Sequence, residues 1–225
     1  MKETMKNIAF IINPMSGTQN KRRMPKQINE LLDKRQWLEN IVFTERVGHA
    51  LILARQYATM GFDAVIAVGG DGTVREVAEG VAGTKSALGI IPMGLTNSLA
   101  RHLGIPLRGN STITWLNRSE PIQCDIMEVI IDDRQRLTAV TSVTAGDERI
   151  INCAQGVKAS IQDGELKIEN LQSTDGESEE GNELEEKTLA FSGTAIIDSE
   201  EYPVERELKV RVLPDSLYVL AQKRF

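Results

Sequence analysis

Phe62-Asp63-Ala64-Val65-Ile66-Ala67-Val68-Gly69-Gly70-Asp71-Gly72-Thr73 decides how this chain is read. An apolar run of strand length ends in three glycines and one carboxylate, and a helical pattern, Val74 to Val81, follows at once. Such a run reads as an apolar strand. Glycine lets backbone amides approach anionic oxygens with no Cβ in the way. The start of the next helix offers unpaired N–H groups and a partial positive charge. The turn therefore suits a phosphate. Asp71 is an odd neighbour for phosphate unless a cation or a donor hydroxyl stands between them, which points to a metal–nucleotide site.

The same alternation extends to both sides of this stretch. Asn7–Ile12 reads as a short buried strand, Pro25–Arg35 as a helix, Ile41–Thr44 as a strand and Gly48–Met60 as a helix. Ala87–Pro92 reads as a further strand and Thr96–Leu103 as a helix capped by Thr96 or Asn97. Strands separated by single helices predict a doubly wound, mostly parallel α/β sheet. In such sheets ligands bind outside the carboxyl ends of the strands. Asn13, Thr44, Gly69 to Thr73 and Gly94 to Asn97 each follow a strand, so all four loops should meet at one edge.

Past Ile122 helical periodicity fades and short β-branched runs take over, which predicts a smaller, all-β, sandwich-like domain or a small barrel. The expected domains are 1–121, a nucleotide-binding α/β domain, and 122–225, a β-rich domain with an acidic loop at about 173–187. That loop, Ser173 to Lys187, holds seven acids and one lysine and so accounts for the whole net charge of −6. The rest of the chain is balanced, with no basic field for nucleic acid. No apolar run approaches the roughly 20 residues that span a bilayer, and Met1–Lys6 lacks the pattern of a signal peptide. Cys124 and Cys153 have neither disulfide-framework nor metal-ligand spacing, so both read as small buried hydrophobes in a reducing cytoplasm.

Individual loops carry competing readings. Asn13-Pro14-Met15-Ser16-Gly17 is a turn rich in free donors, read as nucleotide-facing with Asn13 and Ser16 as contacts; the plain alternative is a polar turn. Thr44 could donate its hydroxyl to a nucleotide, whereas His49 reads as exposed or capping. Gly94, Thr96 and Asn97 form a second glycine-bearing strand-to-helix turn, which could also be an ordinary N-cap. Glu76, one turn into the helix after Thr73, should face back toward the glycine loop, either holding a metal water or making a capping box with Thr73.

Together these motifs resemble the diacylglycerol kinase catalytic-domain family. The matching residues are Asn13-Pro14-Met15-Ser16-Gly17, Thr44-Glu45 with Gly48-His49-Ala50, Gly69-Gly70-Asp71-Gly72-Thr73 with Glu76-Val77, and Pro92-Met93-Gly94 with Asn97 and Ala100-Arg101. The resemblance implies a nucleotide-binding α/β domain, a β-sandwich domain that helps bind lipid, and an active site in the cleft between them. It implies ATP held by Gly69, Gly70, Gly72 and Thr73, and Mg²⁺ engaged by Asp71 with Glu76. A lipid hydroxyl at a membrane surface would be the acceptor, with Asp163 of the Asp163-Gly164 pair as the general base. Three departures stand out: Leu95 where relatives place Thr, Asp198-Ser199-Glu200 where they carry aspartate-glycine-glutamate, and a short sandwich between roughly Val143 and Gln155.

The expected function is ATP-dependent transfer of the γ-phosphate to a diacylglycerol-like hydroxyl in phospholipid metabolism. The enzyme would be cytoplasmic and peripheral at the membrane, with Lys21-Arg22-Arg23 able to assist electrostatically and a homodimer allowed. One alternative is a nucleotide-binding regulatory protein of the same fold with little or no kinase activity. Another is an NAD kinase-like phosphotransferase, which shares the glycine-aspartate-glycine loop.

Overall fold

The computed structural model describes residues 5–17, 21–140, 142–145, 148–151, 157–162, 165–170, 186–198 and 200–222. The chain divides into two units, Met1–Gln123 with Ser216–Phe225, and Cys124–Asp215.

The first unit opens with β1 (Lys6–Ile12), α1 (Met24–Leu31), β2 (Trp37–Phe43) and α2 (His49–Thr59). Next come β3 (Ala64–Gly69), α3 (Asp71–Val81), β4 (Ala87–Pro92), α4 (Ser98–His102) and α5 (Gly109–Leu116). Strand order is β2-β1-β3-β4, all pairs parallel, as the strand–helix alternation predicts. Every residue of β3 and β4 is buried, which explains why both read as unbroken apolar runs rather than alternating ones.

Alternate residues of these strands feed two cores. Ile8, Phe10, Ile12, Ile66, Val68 and Ile91 join Met24 and Ile28 of α1 and Ile113 and Leu116 of α5. On the other face lie α2 and α3, which touch each other closely and rest on β1, β3 and β4. Gly80 permits that closeness: a Cβ there would lie 2.6 Å from the Ala54 Cβ and 2.9 Å from the Leu51 carbonyl oxygen.

The helix α5 has no counterpart in the sequence reading. Its segment, Gly-Asn-Ser-Thr-Ile-Thr-Trp-Leu, is rich in poor helix formers. Tertiary contacts override propensity: Ile113 and Leu116 are fully buried, and Asn117 just beyond donates to the Leu31 carbonyl and accepts from the Asp33 amide.

In the second unit the strands are antiparallel. The long strand β5 (Glu120–Ile131), which starts in the first unit, pairs here with β6 (Gln135–Ala139). Strands β7 (Ser142–Ala145), β8 (Glu148–Ile151), β12 (Gly193–Ile197) and β13 (Glu200–Val204) form one sheet, ordered β13-β12-β7-β8. A hairpin joins β9 (Val157–Gln162) to β10 (Glu165–Asn170), and β11 (Glu186–Ala190) pairs with β14 (Glu207–Ala221). Met127 and Val129 of β5, Ala195 and Ile197 of β12, and Leu208 and Val210 of β14 share one core, so two sheets face each other as expected of a sandwich. Strand β14 then continues into the first unit, where Val219 pairs parallel with Leu88 of β4. The fold is thus the expected α/β sheet with a separate small β region.

Two turns of this second unit are built on buried carboxylates. Asp198, in the left-handed region at φ 47°, accepts from the Val140 amide at 2.8 Å. Asp132 accepts from three amides, those of Glu205, Arg206 and Glu207, at 2.8, 2.8 and 3.0 Å. The bonds from Glu205 and Glu207 lead in holding its carboxyl below the ordinary aspartate range. Cys124 is buried, and desolvation first, then Asp125 and Asp215, pushes its thiol up to about 12. Cys153 and most of the acidic loop at about 173–187 lie outside the described residues. Among those residues no helix is long and apolar enough to cross a membrane.

Two expectations follow. Gly80→Val should cost about 1–3 kcal/mol through overpacking against α2, read as a lower Tm. The contribution of Asp132 is present above the ordinary aspartate pKa and is lost as pH falls through its lowered folded value. Asp132→Asn should therefore flatten the acid limb of a urea-midpoint-versus-pH profile.

Candidate nucleotide site

The parallel sheet brings its four carboxyl-end loops side by side, in the order β2, β1, β3, β4. Hydrogen bonds at the strand tips hold them in step: Thr44 N–H donates to the Ile12 carbonyl, Asn13 N–H to Val68 and Met93 N–H to Gly69. Side chains then tie one loop to the next.

Asn13 ends β1 and bridges to the glycine loop, its Nδ2 donating to the Thr73 hydroxyl at 3.0 Å. Its Oδ1 accepts from the Met15 amide, also at 3.0 Å, which folds the turn. Ser16 stays inside that turn, donating its hydroxyl to the Asn13 carbonyl at 3.3 Å. Gly17 closes it at φ +59°, where a Cβ would fall 2.0 Å from the Met93 carbonyl oxygen. The first loop therefore meets the fourth backbone to backbone.

The glycine loop makes the same kind of contact. A Cβ on Gly94 would lie 2.5 Å from the Gly70 Cα, and one on Gly69 would strike the Thr73 side chain at 2.5 Å. Asp71 is the first residue of α3. Its Oδ2 accepts from the Asn97 amide at 2.9 Å and its Oδ1 from the Ser98 amide at 2.6 Å. Asn97, left-handed at φ 51°, also holds Gly94, accepting from its N–H at 2.9 Å and donating to its carbonyl at 2.8 Å. Asp71 thus satisfies the start of α4 from a neighbouring loop, the role an N-cap side chain usually fills locally.

Glu76 makes a parallel bond across another gap. Its Oε1 accepts from the Gly48 amide at 2.9 Å and its Oε2 from the Ala50 amide at 3.1 Å. Neither sequence-level reading of Glu76 anticipated this: it caps the start of α2, whose own N-cap, Gly48, has no side chain to do so. The Thr73 hydroxyl, the expected partner in a capping box, is engaged by Asn13. His49 accepts at Nδ1 from the Glu45 amide at 3.1 Å and so shapes the turn.

The structure thus joins Asn13, Gly69, Gly70, Asp71, Thr73, Gly94 and Asn97 in one set of contacts, with Gly72 in the first turn of α3. Thr44 is buried beside it at the end of β2, and Thr96 is exposed, its carbonyl accepting from Arg101 Nε at 2.7 Å. Asp163 lies outside the described residues. The basic turn divides: Arg22 and Arg23 are exposed, whereas Lys21 is 3% exposed. Among the described residues the Lys21 Nζ has no hydrogen-bond partner, and burial pulls its ammonium below the usual lysine range. Nothing in the local pattern of residues 21–23 marks Lys21 as the buried one.

This geometry can bind an anion. The helix α3 has no side-chain cap at Gly70, and the first amides of a helix have no partner within it. Glycines keep the surrounding backbone accessible. A magnesium ion fits less directly. Among the described residues no group of three metal-ligating side chains comes together, and Asp71 and Glu76 both hold backbone amides. Each carboxylate oxygen keeps a second lone pair, so the two side chains suit contact through a hydrated ion's water better than direct ligation.

Residues 7–129, more than half of the chain, match the family model of the diacylglycerol kinase catalytic domain. The diacylglycerol kinase of Bacillus subtilis (strain 168) is 38% identical over 104 residues, which are 45% of this chain and 34% of that protein. A probable lipid kinase YegS-like protein of Pseudomonas putida is 37% identical over 83 residues, 36% of this chain and 28% of that protein. The matches thus span about a third of the curated relatives' length. A crystal structure of a diacylglycerol kinase from Bacillus anthracis str. Sterne superimposes with a TM-score of 0.62, covering 98% of each chain at 15% identity, a likeness of fold.

The bridging roles are open to test. Glu76→Ala should cost about 1–2 kcal/mol, as loss of a helix cap does, measured by the urea midpoint. Glu76→Gln, which keeps one acceptor oxygen, should cost less.

Proposed function

The chain belongs to the diacylglycerol kinase catalytic domain family, and from that membership we propose that it is a lipid kinase moving the γ-phosphoryl group of ATP to a diacylglycerol-like hydroxyl. The observation that carries the reading is the joining of the glycine loop to its neighbours, Asp71 to Asn97 and Ser98, and Thr73 to Asn13. Phosphoryl transfer asks a protein chiefly for positioning and electrostatic stabilisation. A loop fixed on both sides, opening onto an uncapped helix start, supplies the positioning before any ligand arrives.

In this reading the amides of Gly70, Gly72 and Thr73 receive the phosphates, with Gly94 allowing close approach from the other side. Asn13, Ser16, Thr44, Thr96 and Asn97 orient the nucleotide. Asp71 positions the loops and, with Glu76, faces the water shell of a magnesium ion. That ion, when bound with ATP, supplies neutralisation of phosphoryl charge. Asp163 accepts the proton of the attacking lipid hydroxyl. The names of the Bacillus subtilis and Pseudomonas putida relatives support a lipid acceptor over NAD. The reading in which the fold binds nucleotide without transferring it is favoured by Leu95, which offers no hydroxyl directly after Gly94.

Labelled ATP with Mg²⁺, offered to diacylglycerol, sphingosine, ceramide, phosphatidylglycerol and NAD, tests the proposal, and label should pass to diacylglycerol. Asp163→Asn should lower transfer by roughly two to four orders of magnitude, the usual contribution of a general base, and leave the rise in Tm given by ATP intact. Asp71→Asn should weaken both. An ATP-dependent Tm rise with no labelled acceptor would favour the binding-only reading. Labelled NAD in place of lipid would overturn the lipid assignment.

A further inference from the structure

The turn from β2 to α2 is held with little help from packing. Glu45, Arg46 and Val47 are all exposed, Val47 at 95%. Gly48 takes φ +77°, and a Cβ there would meet nothing within 4 Å, so this glycine serves a left-handed backbone rather than a close approach. Apolar burial, which orders the strands, contributes little here. Hydrogen bonds take its place. Thr44, buried at the end of β2, donates its N–H to the Ile12 carbonyl at 2.9 Å. Glu76 reaches across from α3 to the amides of Gly48 and Ala50. Within the turn, the His49 N–H donates to the Arg46 carbonyl at 3.2 Å, and its ring Nδ1 accepts from the Glu45 amide at 3.1 Å. Glu76 thus fixes the helix side of the turn. The strand side begins at Glu45, directly after Thr44, and its amide is held by the His49 ring.

That bond also settles where the ring carries its proton. A ring nitrogen that accepts an N–H bears no hydrogen of its own, so the neutral imidazole carries its proton on Nε2. An imidazolium has a donor at each nitrogen and cannot accept the Glu45 amide at all. The turn as folded therefore demands one tautomer of one side chain.

We propose that His49 is a positioning residue of the nucleotide site: as the neutral, Nε2-protonated tautomer it fixes the turn that follows Thr44, and it acts on ATP binding through that turn without touching the nucleotide. Its relevance to ATP rests on the reading in which Thr44 orients the nucleotide. A loose turn must be ordered when ligand binds, whereas a turn already fixed spares that cost. One hydrogen bond of ordinary strength then corresponds to roughly three- to tenfold in affinity. Side-chain chemistry separates this role from mere bulk: asparagine carries an oxygen close to the place of Nδ1, whereas glutamine carries its amide one carbon further out.

Calorimetric titration of the full chain with ATP–Mg²⁺, with no lipid present, reads the affinity. His49→Ala should weaken binding roughly three- to tenfold, and His49→Asn should restore it to within about twofold of the unaltered chain. His49→Gln should not restore it. The Tm of the unliganded alanine variant should stay close to that of the unaltered chain, because an exposed turn opens locally rather than with the core. Nitrogen NMR of the imidazoles should show a bare Nδ1 and a protonated Nε2 on His49; the chain has two histidines, so the signals lost in His49→Ala identify it. Unchanged affinity in His49→Ala, equal recovery by asparagine and glutamine, a fall in Tm that matches the loss of affinity, or a proton on Nδ1 each overturns the proposal while leaving the kinase reading in place. An unaltered chain that binds no ATP overturns the kinase reading, and the proposal with it.

Discussion

The carboxylate of Asp71, shared between the amides of Asn97 and Ser98, is the constraint on which the carboxyl edge of the first unit depends. A parallel sheet delivers its loops to one edge but does not fix their distances beyond the last strand pair. Here the fixing is done by hydrogen bonds, charge-assisted at Asp71 and Glu76 and neutral at Asn13. Asp71 joins the third loop to the fourth, Glu76 joins α3 to the start of α2, and Asn13 joins the first loop to the third. Both carboxylates meet the amino end of a helix from a different segment, where negative charge is favoured.

The glycines of the motif belong to the same construction. Gly70 and Gly94 touch through their Cα atoms, and Gly17 approaches the Met93 carbonyl. The motif therefore answers two demands at once. Close backbone approach to a phosphate is one, and close approach of loop to loop is the other. A substitution that merely thickened a loop would disturb both, so loss of nucleotide binding in a glycine variant is no proof that the glycine touches nucleotide.

Much of this was legible in the sequence because the relevant signals are local. Apolar runs of strand length marked β3 and β4 as strands, and the strand–helix alternation pointed to the parallel sheet. The loops fell into place once their positions after strands were recognised. What was not legible depends on distant partners. Helix α5 has a poor local propensity and is held by α1 and the sheet. Strand β14 is continuous over 15 residues where short runs were expected, and its end pairs with β4. The partners of Glu76 lie 26 and 28 residues away along the chain, beyond the reach of any spacing rule. The burial of Lys21 beside two exposed arginines left no mark in the residue types themselves.

The two halves of the functional reading therefore have different foundations. Nucleotide binding draws on backbone geometry that a folded sheet imposes, and the family match covers that geometry up to residue 129. Choice of acceptor draws on side chains, and the side chain expected to activate the acceptor, Asp163, lies outside both that match and the described residues. A preorganised phosphate loop is necessary for phosphoryl transfer but does not select what receives the phosphoryl group. Leu95 shows the difference: the side chain after Gly94 is exposed and apolar and offers no hydroxyl, yet the backbone of its loop is held as tightly as the rest. The same residue thus removes one expected contact with nucleotide while leaving the backbone geometry of the loop in place.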